Sequence, residues 1–73
     1  MTIGTKIAAC RKRAGMSQEK LANELNISRQ AVSRWETGEA VPDTEKVIQL
    51  SRIFHVTTDY LLKDELEEPE PVL

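Results

Sequence analysis

The sequence predicts an all-α fold, a compact domain of five short helices. The chain has 73 residues, 40% of them hydrophobic, with one Trp, one Tyr and one Phe, so aliphatic side chains must supply most of the core. Three glycines and three prolines are too few for the many turns of an all-β chain. A chain of this length forms one modest core and has room for little beyond one site.

The first two helices are indicated by hydrophobic spacing and by residues that begin or end helices. Apolar residues recur at steps of three and four from Ile3, and Gly15 then provides a left-handed C-terminal stop. These features predict a first helix over roughly residues 3 to 14. Ser17 is a good N-cap for a second, short helix from Gln18 to Leu25.

The third helix follows a tight turn. Asn26 is the best residue other than glycine for a left-handed turn, and Ser28 can cap the next helix at once. The third helix is therefore predicted from Arg29 to about Thr37, where Gly38 again provides a stop.

Two further helices follow a loop that contains Pro42. Asp43 or Thr44 can cap a fourth, amphipathic helix that reaches Phe54. Thr57 is then the expected N-cap of a short last helix. His55, which lacks the neighbouring ligands that a metal needs, is interpreted as a helix-end residue.

Charge is distributed unevenly along the chain. The formal net charge is −2, yet residues 1 to 35 sum to +5 and residues 63 to 73 sum to −4. Such asymmetry is a recognised sign of nucleic-acid interaction combined with an acidic tail. We therefore divide the chain into a DNA-binding domain over residues 1 to 63 and an acidic, flexible tail or linker over residues 64 to 73.

The third helix separates into an apolar side and a polar side. At about 100° per residue, Val32 and Trp35 fall on the apolar side, which favours core packing of Trp35 over stacking on a base. The polar side carries Arg29, Gln30, Ser33, Arg34 and Thr37. Arg can bond N7 and O6 of guanine, and Gln can bond N6 and N7 of adenine, so this side matches the donor and acceptor pattern of the major groove. Any one of these residues alone would be more typical of a solvated surface, but the five positions together favour DNA recognition.

Two stretches of the sequence carry a specific pattern. They are Ser17-Gln18-Glu19-Lys20-Leu21-Ala22 and Leu25-Asn26-Ile27-Ser28-Arg29-Gln30-Ala31-Val32-Ser33-Arg34-Trp35-Glu36-Thr37-Gly38. This pattern resembles the phage repressor and Cro-like helix-turn-helix family, also called the Xre family. Pro42 and the residues around the fourth and fifth helices also match, so the resemblance extends over roughly residues 3 to 63.

The resemblance implies a lambda-repressor-like domain in which helices two and three bind double-stranded DNA, as a homodimer on a near-palindromic operator. It implies that Gln18 contacts a phosphate and that the Ser28 cap also touches the DNA backbone. It further implies a structural ion pair between Arg11 and Glu36. Base and phosphate contacts of the family fall at Arg29, Gln30, Ser33 and Arg34.

Two features depart from the family pattern. Asn26 stands where many members have glycine, a change that the left-handed turn tolerates at small cost. The loop residues 39 to 41 lack the Lys or Arg that some members use for phosphate contact. We therefore do not count this loop among the DNA contacts.

Other classes of function have little support in the sequence. Cys10 is the only cysteine, which excludes an internal disulfide and favours a reducing compartment, and no signal peptide or membrane-spanning run is present, so we expect the cytoplasm. No nucleophile motif, phosphate loop or metal-ligand cluster indicates an enzyme, a cofactor or a small-molecule substrate. The alternative that stays open is a protein-interaction module of the same fold, an antitoxin or adaptor, which would use Tyr60, Leu61, Val72 and Leu73.

Overall fold

The structure is a computed structural model that describes residues 1 to 68 and is helical throughout its regular elements. The all-α prediction is confirmed. Within the described residues the helices are α1 (Ile3–Arg13), α2 (Gln18–Leu25), α3 (Arg29–Thr37), α4 (Thr44–Phe54) and α5 (Thr58–Leu62). Residues 69 to 73, which include Val72 and Leu73 of the alternative hypothesis, lie outside the described part.

Every helix begins at a side-chain N-cap, because the first backbone N–H groups of a helix have no partner inside it. In each case the oxygen of the cap accepts a hydrogen bond from the backbone N–H three residues later. The caps are Thr2, Ser17, Ser28, Asp43 and Thr57. Of the two candidates for α4, Asp43 is therefore the cap.

Left-handed residues end three of the helices. Asn26 has φ 57° at the end of α2, and Gly38 has φ 87° at the end of α3, as the sequence predicted. His55 has φ 55° at the end of α4, a conformation that is uncommon for residues other than glycine and asparagine. α1 ends at Arg13, one residue earlier than predicted, with Ala14 as its C-cap and Gly15 at φ 71°.

α1 lies at the centre of the packing. It contacts α3, α4 and α5, while α2 packs against α3 and α4 packs against α5. The fully buried side chains include Ile7 of α1, Leu21 of α2, Val32 of α3, Leu50 of α4 and Leu61 of α5. All five helices therefore contribute to one core, the arrangement that allows so short a chain to hide its apolar faces.

Trp35 and Cys10 also belong to the core. Trp35 is 6% exposed and packs within the core, so the structure supports packing over base stacking. Cys10 is also buried, and burial raises the pKa of its thiol. It therefore behaves as a small hydrophobic residue.

The sequence did not indicate two features of α1. Gly4 is buried where α1 crosses α3, beside the backbone of Trp35 and Glu36. Lys6 is buried as well, although lysine is among the residue types that proteins bury least. Its Nζ donates hydrogen bonds of 2.6 Å to the carbonyl oxygens of Tyr60 and Lys63.

The first described residues of the predicted tail contact the domain. Leu66 packs against the core, and its N–H donates to the carbonyl oxygen of Lys63 at 3.0 Å. The amino group of Met1 donates to the carbonyl oxygen of Asp64 at 3.1 Å. The domain boundary at residue 63 and the flexibility of the tail stay predictions. No helix within residues 1 to 68 has the length and apolar character needed to cross a membrane.

Candidate nucleic-acid interface

The polar face predicted for α3 is free of contacts with the core. Arg29, Gln30 and Arg34 are exposed, and Ser33 is half-buried. Val32 and Trp35, on the opposite side, are buried. The helix thus presents a short row of long polar side chains to solvent, while its apolar side is fixed in the core.

The turn between α2 and α3 sets the angle at which α3 is presented. The left-handed conformation of Asn26 lets the N–H of Ile27 return to the carbonyl oxygen of Ala22 at 3.0 Å. Ile27 also packs against the core. Ser28 then begins α3 by accepting a hydrogen bond of 3.2 Å from the N–H of Ala31. α2 and α3 are therefore joined by a short connection with few free dihedral angles.

Ser28 has a defined structural task as well as its predicted position near the DNA backbone. Its side-chain oxygen is used as the N-cap acceptor, but the residue is exposed and its hydroxyl hydrogen is free to be donated. The same residue can therefore cap the helix and donate to an anionic oxygen.

Arg11 and Glu36 lie in contact between α1 and α3. Arg11 Nε donates to Glu36 Oε2 at 2.7 Å, and Arg11 Nη2 donates to Glu36 Oε1 at 3.2 Å. The guanidinium also donates to the carbonyl oxygen of Met16 at 2.8 Å. Since both side chains are about one-tenth exposed, at 12% and 10%, the pair is largely shielded from solvent. Arg11 thus ties the end of α3 to α1 and to the chain that enters α2.

The ionisation of Glu36 reflects these partners. Burial raises the pKa of this carboxyl, but hydrogen bonds from Arg11 and Gln18, together with the charges of Arg11 and Lys12, outweigh that effect and lower it. Glu36 is therefore a carboxylate at neutral pH.

Gln18 lies where α2 begins and touches α3 at two points. Its Nε2 donates to Glu36 Oε1 at 3.0 Å, and its Oε1 accepts from Arg29 Nη1 at 3.5 Å. The structure thus brings four of the site residues named from the sequence, Arg11, Gln18, Arg29 and Glu36, into one hydrogen-bonded group. The other members of that set, Ser28, Gln30, Ser33 and Arg34, line the exposed part of α3.

Sequence reasoning missed the contacts between Gln18 and its neighbours. The residues are separated by 18 and 11 positions along the chain, and no periodicity within one helix relates them. The only usable signal was chemical, because an amide carries both a donor and an acceptor and can bridge a carboxylate and a guanidinium.

The loop after α3 carries an acidic side chain. Thr37 Oγ1 lies 3.2 Å from Glu39 Oε1 and 3.1 Å from the carbonyl oxygen of Arg34. The N–H of Ala40 also donates to that carbonyl, at 3.2 Å, and folds the loop against the end of α3. A carboxylate in this position would repel a phosphate group.

Comparison with known proteins identifies the family. The helix-turn-helix family model matches residues 7–61. The transcriptional regulator ImmR of Bacillus subtilis is 38% identical over 69 residues, which are 93% of this chain and 54% of ImmR. Repressor protein C2 of Salmonella phage P22 is 35% identical over 66 residues, 90% of this chain and 31% of C2. The chain thus spans about half the length of ImmR and about a third of C2.

The fold supports the same family assignment. The crystal structure of the P22 c2 repressor in complex with a synthetic operator superposes with a TM-score of 0.82 and 34% identity, covering 89% of this chain and 98% of that one. The chain thus shares its overall architecture with a helix-turn-helix protein. The resemblance seen in the sequence is confirmed, and the chain is a member of the helix-turn-helix family, of the Xre type.

Proposed function

We propose that the chain binds a specific double-stranded operator by placing α3 in the major groove and thereby represses transcription. The observation that carries the proposal is the exposed polar face of α3, which is held by a tight turn and a shared core. The relatives are named as transcriptional regulators, and the P22 repressor structure contains operator DNA. Binding DNA involves no catalytic step, so the proposed protein is not an enzyme, and it acts in the cytoplasm, where a bacterial or phage operator is found.

Each residue of the interface has a role that follows from its chemistry. Arg29 and Arg34 can donate two hydrogen bonds to guanine, and Gln30 can both donate to and accept from adenine. Ser33, half-buried in the same row, can contact either a base or a phosphate. Gln18 and Ser28 lie at the start of α2 and α3, where backbone contacts fix the orientation of the protein on the duplex.

We further propose that two copies bind together on a near-palindromic site. α3 has nine residues and is about 14 Å long, so one copy covers one half-site. An apolar groove of about 260 Å³ lies between α4 and α5, lined in part by Val47, Ile48 and Leu62. Leu62 is 59% exposed, and Val41, which precedes the lining residue Pro42, is 72% exposed. A second copy would cover these side chains, as a two-fold contact requires.

The experiment that tests the proposal is selection of bound sequences from a pool of random duplexes. We expect two inverted half-sites with centres about one helical turn, roughly 34 Å, apart. Affinity for the selected operator should exceed affinity for random duplex by about a thousandfold or more and should fall steeply with salt. Recovery of no common sequence would contradict the proposal.

Single substitutions then locate the contacts. Arg29→Ala, Gln30→Ala and Arg34→Ala should each cost about 1 to 3 kcal/mol on the operator and relax the preference at one base pair. Arg52→Ala is the matched control, because Arg52 is an exposed arginine on α4, away from the polar face. An equal loss for Arg29→Ala and Arg52→Ala would remove Arg29 from the interface.

Mass measurements on the free and the DNA-bound chain show whether it forms a dimer. They thereby distinguish the proposed DNA-binding dimer from the alternative function, a protein-interaction module. Leu62→Glu should weaken binding to the full operator more than binding to a single half-site. A chain that does not bind DNA and stays monomeric would instead favour a partner of another kind. Repression is tested by placing the selected operator across a reporter promoter.

A further inference from the structure

Lys12 and Arg13 are adjacent basic residues in the last turn of α1. Both are exposed, and neither belongs to an ion pair within residues 1 to 68. Each adds a positive charge near the end of a helix, where a cation interacts favourably with the last carbonyl groups. A difference in function between the two must therefore come from where the two charges lie.

The two side chains leave α1 on different sides. Gly4 marks the side of α1 that faces α3, because it lies against the backbone of Trp35 and Glu36. At about 100° per residue, Lys12 is turned by about 80° from Gly4, whereas Arg13 is turned by about 180°. Lys12 therefore lies on the side of α1 next to α3, and Arg13 lies on the side away from α3.

The surroundings of Arg13 agree with this direction. Arg13 lines a groove between the ends of α1 and α4, together with Phe54 and His55. Its charge also lies near the buried Cys10, since burial raises the pKa of that thiol and the charge of Arg13 lowers it in part. These neighbours belong to α1 and to the end of α4. Arg13 is thus turned away from the polar face of α3.

The charge of Lys12 instead acts on Glu36, at the end of α3. Burial raises the pKa of this carboxyl, but the hydrogen bonds from Arg11 and Gln18, together with the charges of Arg11 and Lys12, outweigh that effect. Arg11 and Gln18 both donate to Glu36 Oε1, at 3.2 Å and 3.0 Å. Lys12 therefore lies beside the group of side chains that joins α1, α2 and α3.

The backbone also brings the end of α1 close to the start of α2. The N–H of Met16 returns to the carbonyl oxygen of Arg11 at 3.0 Å. Ser17 then caps α2, and Gln18 is the first residue of that helix. Because the chain turns back on the residue before Lys12, this lysine lies near the start of α2, where the proposed phosphate contact of Gln18 is made.

The neighbouring charges leave the ammonium group of Lys12 without a counterion in the described part of the chain. Glu36 is neutralised by Arg11, whose Nε lies 2.7 Å from Glu36 Oε2. Lys20, on α2, is paired with Glu24 at 3.1 Å. The positive charge of Lys12 is therefore available to an anion that approaches the start of α2.

We propose that Lys12 contacts a phosphate of the operator, next to the phosphate that Gln18 binds. The inference rests on the proposed operator binding and extends the interface from α2 and α3 to α1. When α3 lies in the major groove, the start of α2 lies against the DNA backbone. The ammonium group of lysine is a flexible point charge that suits a phosphate and carries no base preference there. Lys12 therefore adds affinity and salt dependence without adding sequence preference.

Two charge-neutralising substitutions form the central experiment. Lys12→Gln and Arg13→Gln each remove one positive charge from the same turn of α1, so they change the net charge of the chain equally. Lys12→Gln should weaken binding to the selected operator and to random duplex by the same factor, about threefold to tenfold at moderate salt. It should also reduce the slope of the logarithm of the binding constant against the logarithm of salt concentration by about 0.9, the contribution of one phosphate contact.

Arg13→Gln is the matched control. Its effect on affinity should stay below about twofold, because salt screens a charge that lies more than about 10 Å from the phosphates. Lys12→Arg keeps the positive charge and should bind like the wild type. Lys12 and Arg13 are both exposed, so these substitutions leave the core intact, and circular dichroism verifies the folding of each variant.

The phosphate itself is located with duplexes in which one phosphate at a time is replaced by an uncharged methylphosphonate. At the phosphate bound by Lys12, the wild type and Arg13→Gln should lose affinity, whereas Lys12→Gln should show no further loss. Gln18→Ala identifies the phosphate of Gln18 in the same way. The two phosphates should be neighbours on one strand.

The possible results distinguish this contact from the proposed function. Equal losses for Lys12→Gln and Arg13→Gln would reduce Lys12 to a part of the overall charge and would overturn the contact. Unchanged binding by Lys12→Gln, to an operator that the wild type selects, would overturn the contact and leave the proposed function intact. A wild type without sequence preference would overturn the proposed function, and a loss confined to Lys12→Gln on random duplex would still support the contact.

Discussion

The amine of Lys6 lies 2.6 Å from the carbonyl oxygens of both Tyr60 and Lys63, and 4.7 Å from the centre of the Tyr60 ring. A lysine of α1 thus satisfies carbonyl groups at the end of α5, where a helix leaves its last carbonyls without partners. The positive charge also lies favourably at the negative end of α5 and over the face of an aromatic ring. Lys6 therefore joins the first and last helices.

Replacing Lys6 by Met should destabilise the domain by about 2 kcal/mol, because it leaves two carbonyl groups without their donor in a buried place. Urea unfolding measures the change as a shift in the midpoint. Lys12→Met is the matched control on the exposed side of α1 and should stay within about 0.5 kcal/mol of wild type. Equal midpoints for the two variants would show that the buried amine adds nothing to stability.

Gly4→Ala should be destabilising, although alanine normally favours a helix by about 1 kcal/mol over glycine. A Cβ at this position would overlap the carbonyl oxygen of Trp35 and would lie 3.3 Å from that of Glu36. α1 would have to move away from α3, at a cost of about 1 to 3 kcal/mol. Thermal unfolding of Gly4→Ala is compared with that of Lys12→Ala, at an exposed residue of the same helix. A midpoint of thermal unfolding for Gly4→Ala above that of the wild type would contradict the close crossing of α1 and α3.

Glu36 should make stability depend on pH under acidic conditions. Its pKa in the folded chain is lower than its ordinary value of 4.5, which it recovers on unfolding. A group of this kind contributes stability that is complete above about pH 4.5 and is lost as the pH falls through the folded-state pKa. As the pH falls through this range, the free energy of unfolding of the wild type should therefore approach that of Glu36→Gln.

Urea unfolding at a series of pH values below neutrality measures this dependence. Glu45→Gln is the control, since Glu45 is exposed and belongs to no ion pair described in residues 1 to 68. Its free energy of unfolding should follow that of the wild type at every pH. A constant gap between the wild type and Glu36→Gln down to strongly acidic pH would rule out the expected linkage.

His55→Gly should stabilise the chain by about 0.5 to 1 kcal/mol. His55 is exposed and occupies the left-handed region, where glycine has no steric penalty from a Cβ. Arg52→Gly is the opposite case, because Arg52 lies inside α4 on an exposed face and glycine there should cost about 1 kcal/mol. Chemical denaturation of both variants should give changes of opposite sign, and a loss of stability for His55→Gly would assign the imidazole a structural contact.

Much of the interface was predictable because it depends on local order in the chain. The angle of each residue around α3 follows from helical geometry, so the exposure of Arg29, Gln30 and Arg34 and the burial of Trp35 could be worked out in advance. The same holds for the N-caps Ser17, Ser28 and Thr57 and for the left-handed turn at Asn26, whereas the N-cap of α1, Thr2, was not predicted. His55 was recognised as a helix-end residue, but its left-handed conformation was not predicted, since only a few per cent of non-glycine residues adopt it.

The sequence by itself determined the five helices, three of their N-caps and the polar face of α3, since each depends on residues within one or two turns of each other. Only the tertiary structure decided how α1 crosses α3 and meets α5. That crossing places Gly4 against Trp35, buries Lys6 under the end of α5, and aligns Gln18 between Glu36 and Arg29. Such contacts join residues far apart in the chain, and their geometry depends on the packing of the whole core rather than on any local pattern.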